Sequence, residues 1–191
     1  MLYIMRHGKT DWNGEYRLQG TEDIPLNEEG IKMAHEAGKK YRDTHFDVCF
    51  SSPLSRAKKT AELFLEGRDI PLFFDDRLHE ICFGKYEGSR NVFEHPENPL
   101  YNFFMDTENY TAPEGAETFE ELFKRIKEFL EEKAFPLLKE GKDVLIVAHG
   151  AFNSGLITYI LDKPLKEFWS VPIDQCRVVK IDIDEKTVEF V

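Results

Sequence analysis

The run Val144-Leu145-Ile146-Val147-Ala148 carries no polar side chain and stops at His149-Gly150. An apolar stretch of that length without alternation is the pattern of a strand buried on both faces, which needs cover on two sides and therefore a sheet between layers. The chain opens on the same pattern, because Leu2-Tyr3-Ile4-Met5 runs directly into Arg6-His7-Gly8. Phe46 to Phe50, ending in Ser51-Ser52-Pro53, reads as another buried strand. Ile70 to Phe74, followed by Arg77-Leu78-His79-Glu80, reads as a further short one. Open α/β sheets bind ligands beyond the carboxyl ends of their strands, so histidines and arginines at these exits mark a site rather than packing.

Between the strands the apolar spacing turns helical. Asn27 is placed to cap a helix with Ile31, Ala34, Gly38 and Tyr41 on one face. Ser52 and Pro53 read as N-cap and first position of a helix striped by Leu54, Ala57, Ala61, Phe64 and Leu65 and stopped at Gly67. Arg56 then falls in the first turn, where free amides and the helix dipole favour an anion. Thr118-Phe119-Glu120-Glu121 is a capping box ahead of Leu122, Phe123, Ile126, Phe129 and Leu130, with a bend expected near Pro136. A last helix runs through Leu156, Ile157, Ile160 and Leu161. Arg177 to Ile183 and Thr187 to Val191 form a terminal hairpin.

Lys9 to Gly20 is too polar to be regular throughout and reads as a loop over the site. Residues 89–117 form a long excursion carrying Phe93, Tyr101, Phe103, Phe104 and Tyr110. The prediction is one domain over residues 1–191: a three-layer α/β/α sandwich whose mainly parallel central sheet has an antiparallel edge strand, with 89–117 inserted as a cover over the site.

Composition narrows the partners. A net charge of −11 provides no basic face for nucleic acid or an anionic membrane. No window approaches the roughly 20 apolar residues of a membrane span, and the short apolar start ended by Arg6 is not a signal peptide, so a cytoplasmic location is expected. Cys49, Cys82 and Cys176 have neither metal-ligand spacing nor the even count of a disulfide framework, and each reads as a small buried hydrophobe. His35, His45, His79 and His95 stand in no comparable context and read as surface or packing residues.

Parallel strands would bring Arg6, His7, Arg56, Glu80 and His149 to one sheet edge. Two guanidinium forks specify phosphoryl oxygens. Neutral His7 fits the nucleophile, Glu80 the acid and base, and a charged His149 would stabilise the phosphoryl oxygens.

These residues sit in motifs that resemble the histidine phosphatase superfamily, also called phosphoglycerate mutase-like. The motifs are Arg6-His7-Gly8-Lys9-Thr10 with Trp12-Asn13, Arg17-x-Gln19-Gly20, Pro25-Leu26 before Gly30, and Ser52-Pro53-Leu54-x-Arg56-Ala57 with Thr60-Ala61. Leu78-x-Glu80 before Gly84, Glu87-Gly88 and Ala148-His149-Gly150 follow in family order. The resemblance implies a phosphohistidine on His7, acid/base work by Glu80, a phosphate pocket from Arg6, Arg56 and His149, and supporting contacts from Asn13, Gln19 and Gly20. It implies no metal and no cofactor. Lys9 departs from the glutamate common after the glycine and adds a cation expected near the mouth. Gly115-Ala116-Glu117 departs in spacing, which leaves Glu117 without an assigned pocket role.

No lysine or arginine lies between Asn91 and Phe123. A mutase needs extra cations to hold a bisphosphorylated intermediate, so hydrolysis of a small-molecule phosphomonoester with an uncharged or partly apolar leaving group is the preferred expectation. A cofactor-dependent phosphoglycerate mutase and a non-catalytic phosphate-binding regulatory protein of the same fold stay open, and a homo-oligomer is compatible with the sequence.

Overall fold

The computed structural model describes residues 1–191. Its sheet is built from β1 (Leu2–Arg6), β2 (Val48–Ser51), β3 (Leu72–Phe74), β4 (Val144–Ala148), β5 (Val178–Asp182) and β6 (Thr187–Phe190), in the spatial order β3-β2-β4-β1-β5-β6. β4 lies between β1 and β2 and is parallel to both, while β5 and β6 pair antiparallel on the β1 side. Every residue of β4 is fully buried, as its unbroken apolar run requires.

The pleat sends alternate β4 residues to opposite faces. Val144, Ile146 and Ala148 join a core with Leu122, Ile126, Phe129, Phe152 and Leu156, which belong to α5 (Phe119–Phe129) and α7 (Gly150–Ile160). Leu145 and Val147 join a smaller core with Ala34, Ala37 and Phe64, contributed by α2 (Glu28–Lys40) and α3 (Ser55–Phe64). Helices therefore flank a mixed, mostly parallel sheet, as predicted. Shorter helices are α1 (Asp11–Gly14), α4 (Tyr101–Met105) and α6 (Phe135–Lys139). No helix is long and apolar enough to cross a membrane.

Several local expectations hold. Asn27 caps α2 by accepting from the Gly30 N–H at 2.9 Å, and Thr118 with Glu121 forms the capping box of α5. A π-helical segment, Leu130–Ala134, joins α5 to α6 just before Pro136. Other expectations are corrected. The buried face of α2 is Gly30, Ala34 and Ala37, whereas Ile31 is exposed. β3 is only three residues long, and its Phe73 and Phe74 are exposed at the sheet edge.

The polar stretch after Gly8 contains α1, because Thr10 and Asn13 satisfy each other's backbone amides in a capping box. α3 begins at Ser55 instead of Pro53. The Ser52 hydroxyl sits 2.8 Å from His149 Nε2 and accepts from the Leu54 N–H, and the free Ser55 N–H is met by Asp23 Oδ1 at 2.7 Å. Cys49 and Cys176 are buried, but Cys82 is only half-buried.

Candidate functional site

Register places the two strand-exit histidines together. Arg6 is paired with Ala148 across β1 and β4, and the His7 N–H donates to the Ala148 carbonyl at 2.9 Å, so His7 and His149 leave neighbouring strands at the same level. β2 ends beside them, since the Ser52 N–H donates to the Val147 carbonyl at 3.0 Å. The turn after His7 has no room for a side chain. A Cβ on Gly8 would lie 2.7 Å from the Gly30 carbonyl oxygen, and one on Gly30 would lie 2.1 Å from that of Lys9.

The exits open into a cleft of about 190 Å³ lined by Arg6, His7, Asn13, Gln19, Gly20, Arg56 and Glu80, with Arg17, Phe83, Phe104 and Trp169 around them. A second lobe of about 280 Å³ shares Arg6, Asn13, Arg17, Leu18 and Phe104 and adds Tyr16, Val92, Phe93 and Gln175. A groove of about 340 Å³ between Met1, Phe135 and Ile183 has neither histidine nor arginine in its walls. His45, Asp47 and Asp143, whose ligand-type atoms lie within 4.8 Å of one another, stand at the opposite end of the sheet, ahead of β2 and β4.

Of the predicted residues, all but His149 line the cleft; His149 is fully buried just behind His7. The His7 Nδ1 lies 2.6 Å from the Gly8 carbonyl oxygen. A carbonyl only accepts, so Nδ1 carries the proton and the Nε2 lone pair is free. Burial and then the Arg56 and Arg6 charges hold His7 well below the ordinary imidazole pKa of 6.5, and burial followed by Arg56 does the same for His149. Both rings are neutral at pH 7. A cation at His149 would have no solvent around it and would face Arg56.

Arg56 is fully buried and donates through Nη1 to the Glu22 carbonyl at 2.7 Å and through Nη2 to the Gly20 carbonyl at 2.6 Å. Arg6 Nη1 donates to the Ile173 carbonyl at 3.3 Å. The Nε of each arginine is buried and meets no protein acceptor. Burial pulls both guanidinium pKa values down, yet guanidinium remains charged at neutral pH. The cleft therefore concentrates positive charge inside an acidic protein.

Glu80 is held against the start of α7. Its Oε2 accepts from the Ala151 N–H at 3.0 Å, and its Oε1 from the N–H groups of Phe152 at 2.8 Å and Ile81 at 3.0 Å. The Asn13 Oδ1 accepts from the Thr10 N–H, and Gln19 Oε1 lies 3.0 Å from the Thr10 hydroxyl, so both amides are oriented from the same threonine. Lys9 contributes nothing to the mouth, because its ammonium pairs with Glu29 at 2.8 Å.

The family model described as histidine phosphatase superfamily (branch 1) matches residues 2–191. The chain belongs to this superfamily. It is 37% identical to the uncharacterized phosphatase PhoE of Bacillus subtilis, over 82% of this chain and 75% of that protein. It is 31% identical to the probable phosphoglycerate mutase GpmB of Escherichia coli, over 96% and 85%. Bacillus stearothermophilus YhfR has a similar solved structure, with a TM-score of 0.82 at 32% identity, covering 99% of this chain and 94% of that one. The histidine phosphatase superfamily thus supplies an enzyme assignment, with relatives named both as phosphatase and as mutase.

Sequence reasoning passed over residues that hold this histidine phosphatase site from behind. Arg125, in the middle of α5, makes a two-pronged pair with Glu117 at 2.6 and 3.0 Å and donates to the carbonyls of Arg77 and His79, just ahead of Glu80. The Cys82 N–H donates to Glu117 on the other side of Glu80. Nothing in a helical Lys-Arg-Ile-Lys stretch distinguishes Arg125 from a surface cation. Glu117, left without a role by its spacing, brackets the Glu80 segment without lining the cleft.

Proposed function

We propose that the chain is a metal-independent phosphomonoester hydrolase with His7 as nucleophile. The observation that carries this reading is the His7 ring: neutral, with Nδ1 fixed on the Gly8 carbonyl and the other nitrogen available in a cleft shared with Arg6 and Arg56. Nε2 attacks phosphorus, and the P–O bond to the leaving alcohol breaks as that oxygen takes a proton from the Glu80 carboxylic acid. Water then attacks the phosphohistidine, returns a proton to the Glu80 carboxylate and releases phosphate. Arg6 and Arg56 hold the transferring oxygens throughout. His149 supports them as a neutral hydrogen-bonding ring, and Asn13, Gln19 and Gly20 complete the pocket. Glu80 is the one carboxylate lining the cleft and both its oxygens are engaged by amides, which is a poor ligand set for a hard cation.

The second lobe supports an apolar leaving group. Tyr16, Leu18, Val92, Phe93 and Phe104 form its walls, with Arg17 as its cation besides Arg6. Arg17 is partly engaged, stacked 4.3 Å from the Trp12 ring and donating to the Gly88 carbonyl. A mutase reading is favoured by the GpmB relative and by that single arginine, and it is the runner-up. The deciding assay uses purified protein with chelator on a panel of phosphomonoesters including 3-phosphoglycerate, beside His7→Ala. Phosphate release that the variant loses supports the hydrolase, interconversion of phosphoglycerates supports the mutase, and no turnover supports a phosphate-binding module.

A further inference from the structure

We infer that Glu87 is a positioning residue that sets Arg56 for the phosphoryl group by holding the backbone loop that grips it. The inference rests on the reading of the cleft as a phosphoryl site, and it assigns work to a side chain that does not line that cleft.

Arg56 reaches the cleft from α3 as a long, flexible side chain, and what fixes it is a pair of backbone carbonyls, those of Gly20 and Glu22. Those carbonyls belong to a loop with no regular structure, so their position needs its own support. Glu87 supplies it. Its Oε1 accepts from the Thr21 N–H at 2.9 Å, the Thr21 hydroxyl at 3.1 Å and the Phe83 N–H at 3.0 Å, and its Oε2 accepts from the Glu22 N–H at 2.7 Å. One carboxylate thus binds the Thr21 N–H, on the far side of the Gly20–Thr21 peptide whose carbonyl takes Arg56, and the Glu22 N–H, one peptide ahead of the second carbonyl. It also ties the loop to the segment that follows Glu80.

Gly20 explains why the contact is so close. Its φ is +58°, and a Cβ there would lie 2.1 Å from Glu87 Oε1. The glycine lets the carboxylate approach while its own carbonyl turns to Arg56. The negative charge of Glu87 also acts on the Arg56 guanidinium, so the loop, the arginine and the carboxylate form a chain of alternating acceptors and donors. The ordinary alternative is that Glu87 only staples two loops and contributes to folding.

A double-mutant cycle separates the two, with inorganic phosphate binding measured by calorimetry so that no turnover is needed. Arg56→Ala is expected to weaken phosphate about 10- to 100-fold, as loss of charge-assisted hydrogen bonds does. Glu87→Gln, nearly isosteric, is expected to weaken it about five- to tenfold through a misplaced Arg56. In the Arg56→Ala background the same Glu87→Gln change is expected to cost less than about twofold. Full additivity, unchanged affinity in a folded Glu87→Gln protein, or failure of that variant to fold overturns the inference and leaves a structural staple. If Arg56→Ala itself leaves phosphate affinity unchanged, the reading of the cleft fails as well.

Discussion

The rings of His7 and His149 lie 5.2 Å apart at an angle of 59°, one at the exit of β1 and the other at the exit of β4. Neither is exposed enough to be solvated as a cation, and each faces Arg56. Two neutral imidazoles beside two guanidinium groups form a site in which the fixed positive charge is arginine and the titratable groups stay available for bonding.

That arrangement sets a pH dependence. Both histidines titrate well below 6.5 when folded and near 6.5 when unfolded. Between those values the unfolded chain binds more protons, so stability rises with pH there and falls as the solution is acidified below 6.5. The limiting slope is about 1.4 kcal/mol per pH unit for each histidine. Proton NMR of the six histidines is expected to show two that stay neutral through pH 6.5; six ordinary titrations would contradict the site as described.

Replacing the proposed nucleophile gives a chemical readout. His7→Ala is expected to lower kcat at least about 10³-fold and to abolish an acid-labile, base-stable phosphoenzyme that the unaltered protein forms in rapid quench. A variant that still accumulates this species would place the nucleophile elsewhere.

The Glu117–Arg125 pair makes a stability prediction with a sign. Both side chains are about nine-tenths buried, at 11% exposure each. Arg125→Ala leaves a buried carboxylate unpaired and is expected to cost about 3–5 kcal/mol in urea unfolding, whereas Glu117→Leu with Arg125→Met should recover much of that loss. Equal destabilisation by both would mean that the carbonyls of Arg77 and His79 are what need Arg125.

Phe103 and Phe104 are neighbours with different expected phenotypes. Phe103 is fully buried and packs against Phe83, Tyr110, Phe119, Phe168 and Trp169, so Phe103→Ala is expected to cost about 3–5 kcal/mol of stability. Phe104 walls both lobes of the cleft. Phe104→Ala should raise KM for bulky monoesters several-fold more than for small ones, and equal changes would argue against substrate contact.

Strands β1, β2 and β4 were readable because a residue buried on both faces leaves no polar alternation, and the helix caps at Asn27 and Thr118 because their partners are three residues away. Ser52 does not cap α3, for the opposite reason. Its hydroxyl meets His149 at a separation of 97 residues, which no local pattern encodes. The same holds for Arg125, Glu87 and the tautomer of His7: charged residues and imidazoles look alike in sequence whether their partners are water or a carbonyl from another segment. Lys9, placed at the mouth by position alone, found a nearer carboxylate in Glu29.

The strand order carries a consequence for how the protein is made. β1 is made long before both its partners, β4 and β5. At about 5–20 residues per second, the interval between β1 and β4 is on the order of ten seconds. Throughout it an apolar, unpaired strand waits with its edges open, a template for wrong pairing. The histidine pair is therefore assembled only after β4 has been made, and until then the unpaired β1 is a target for nascent-chain binders.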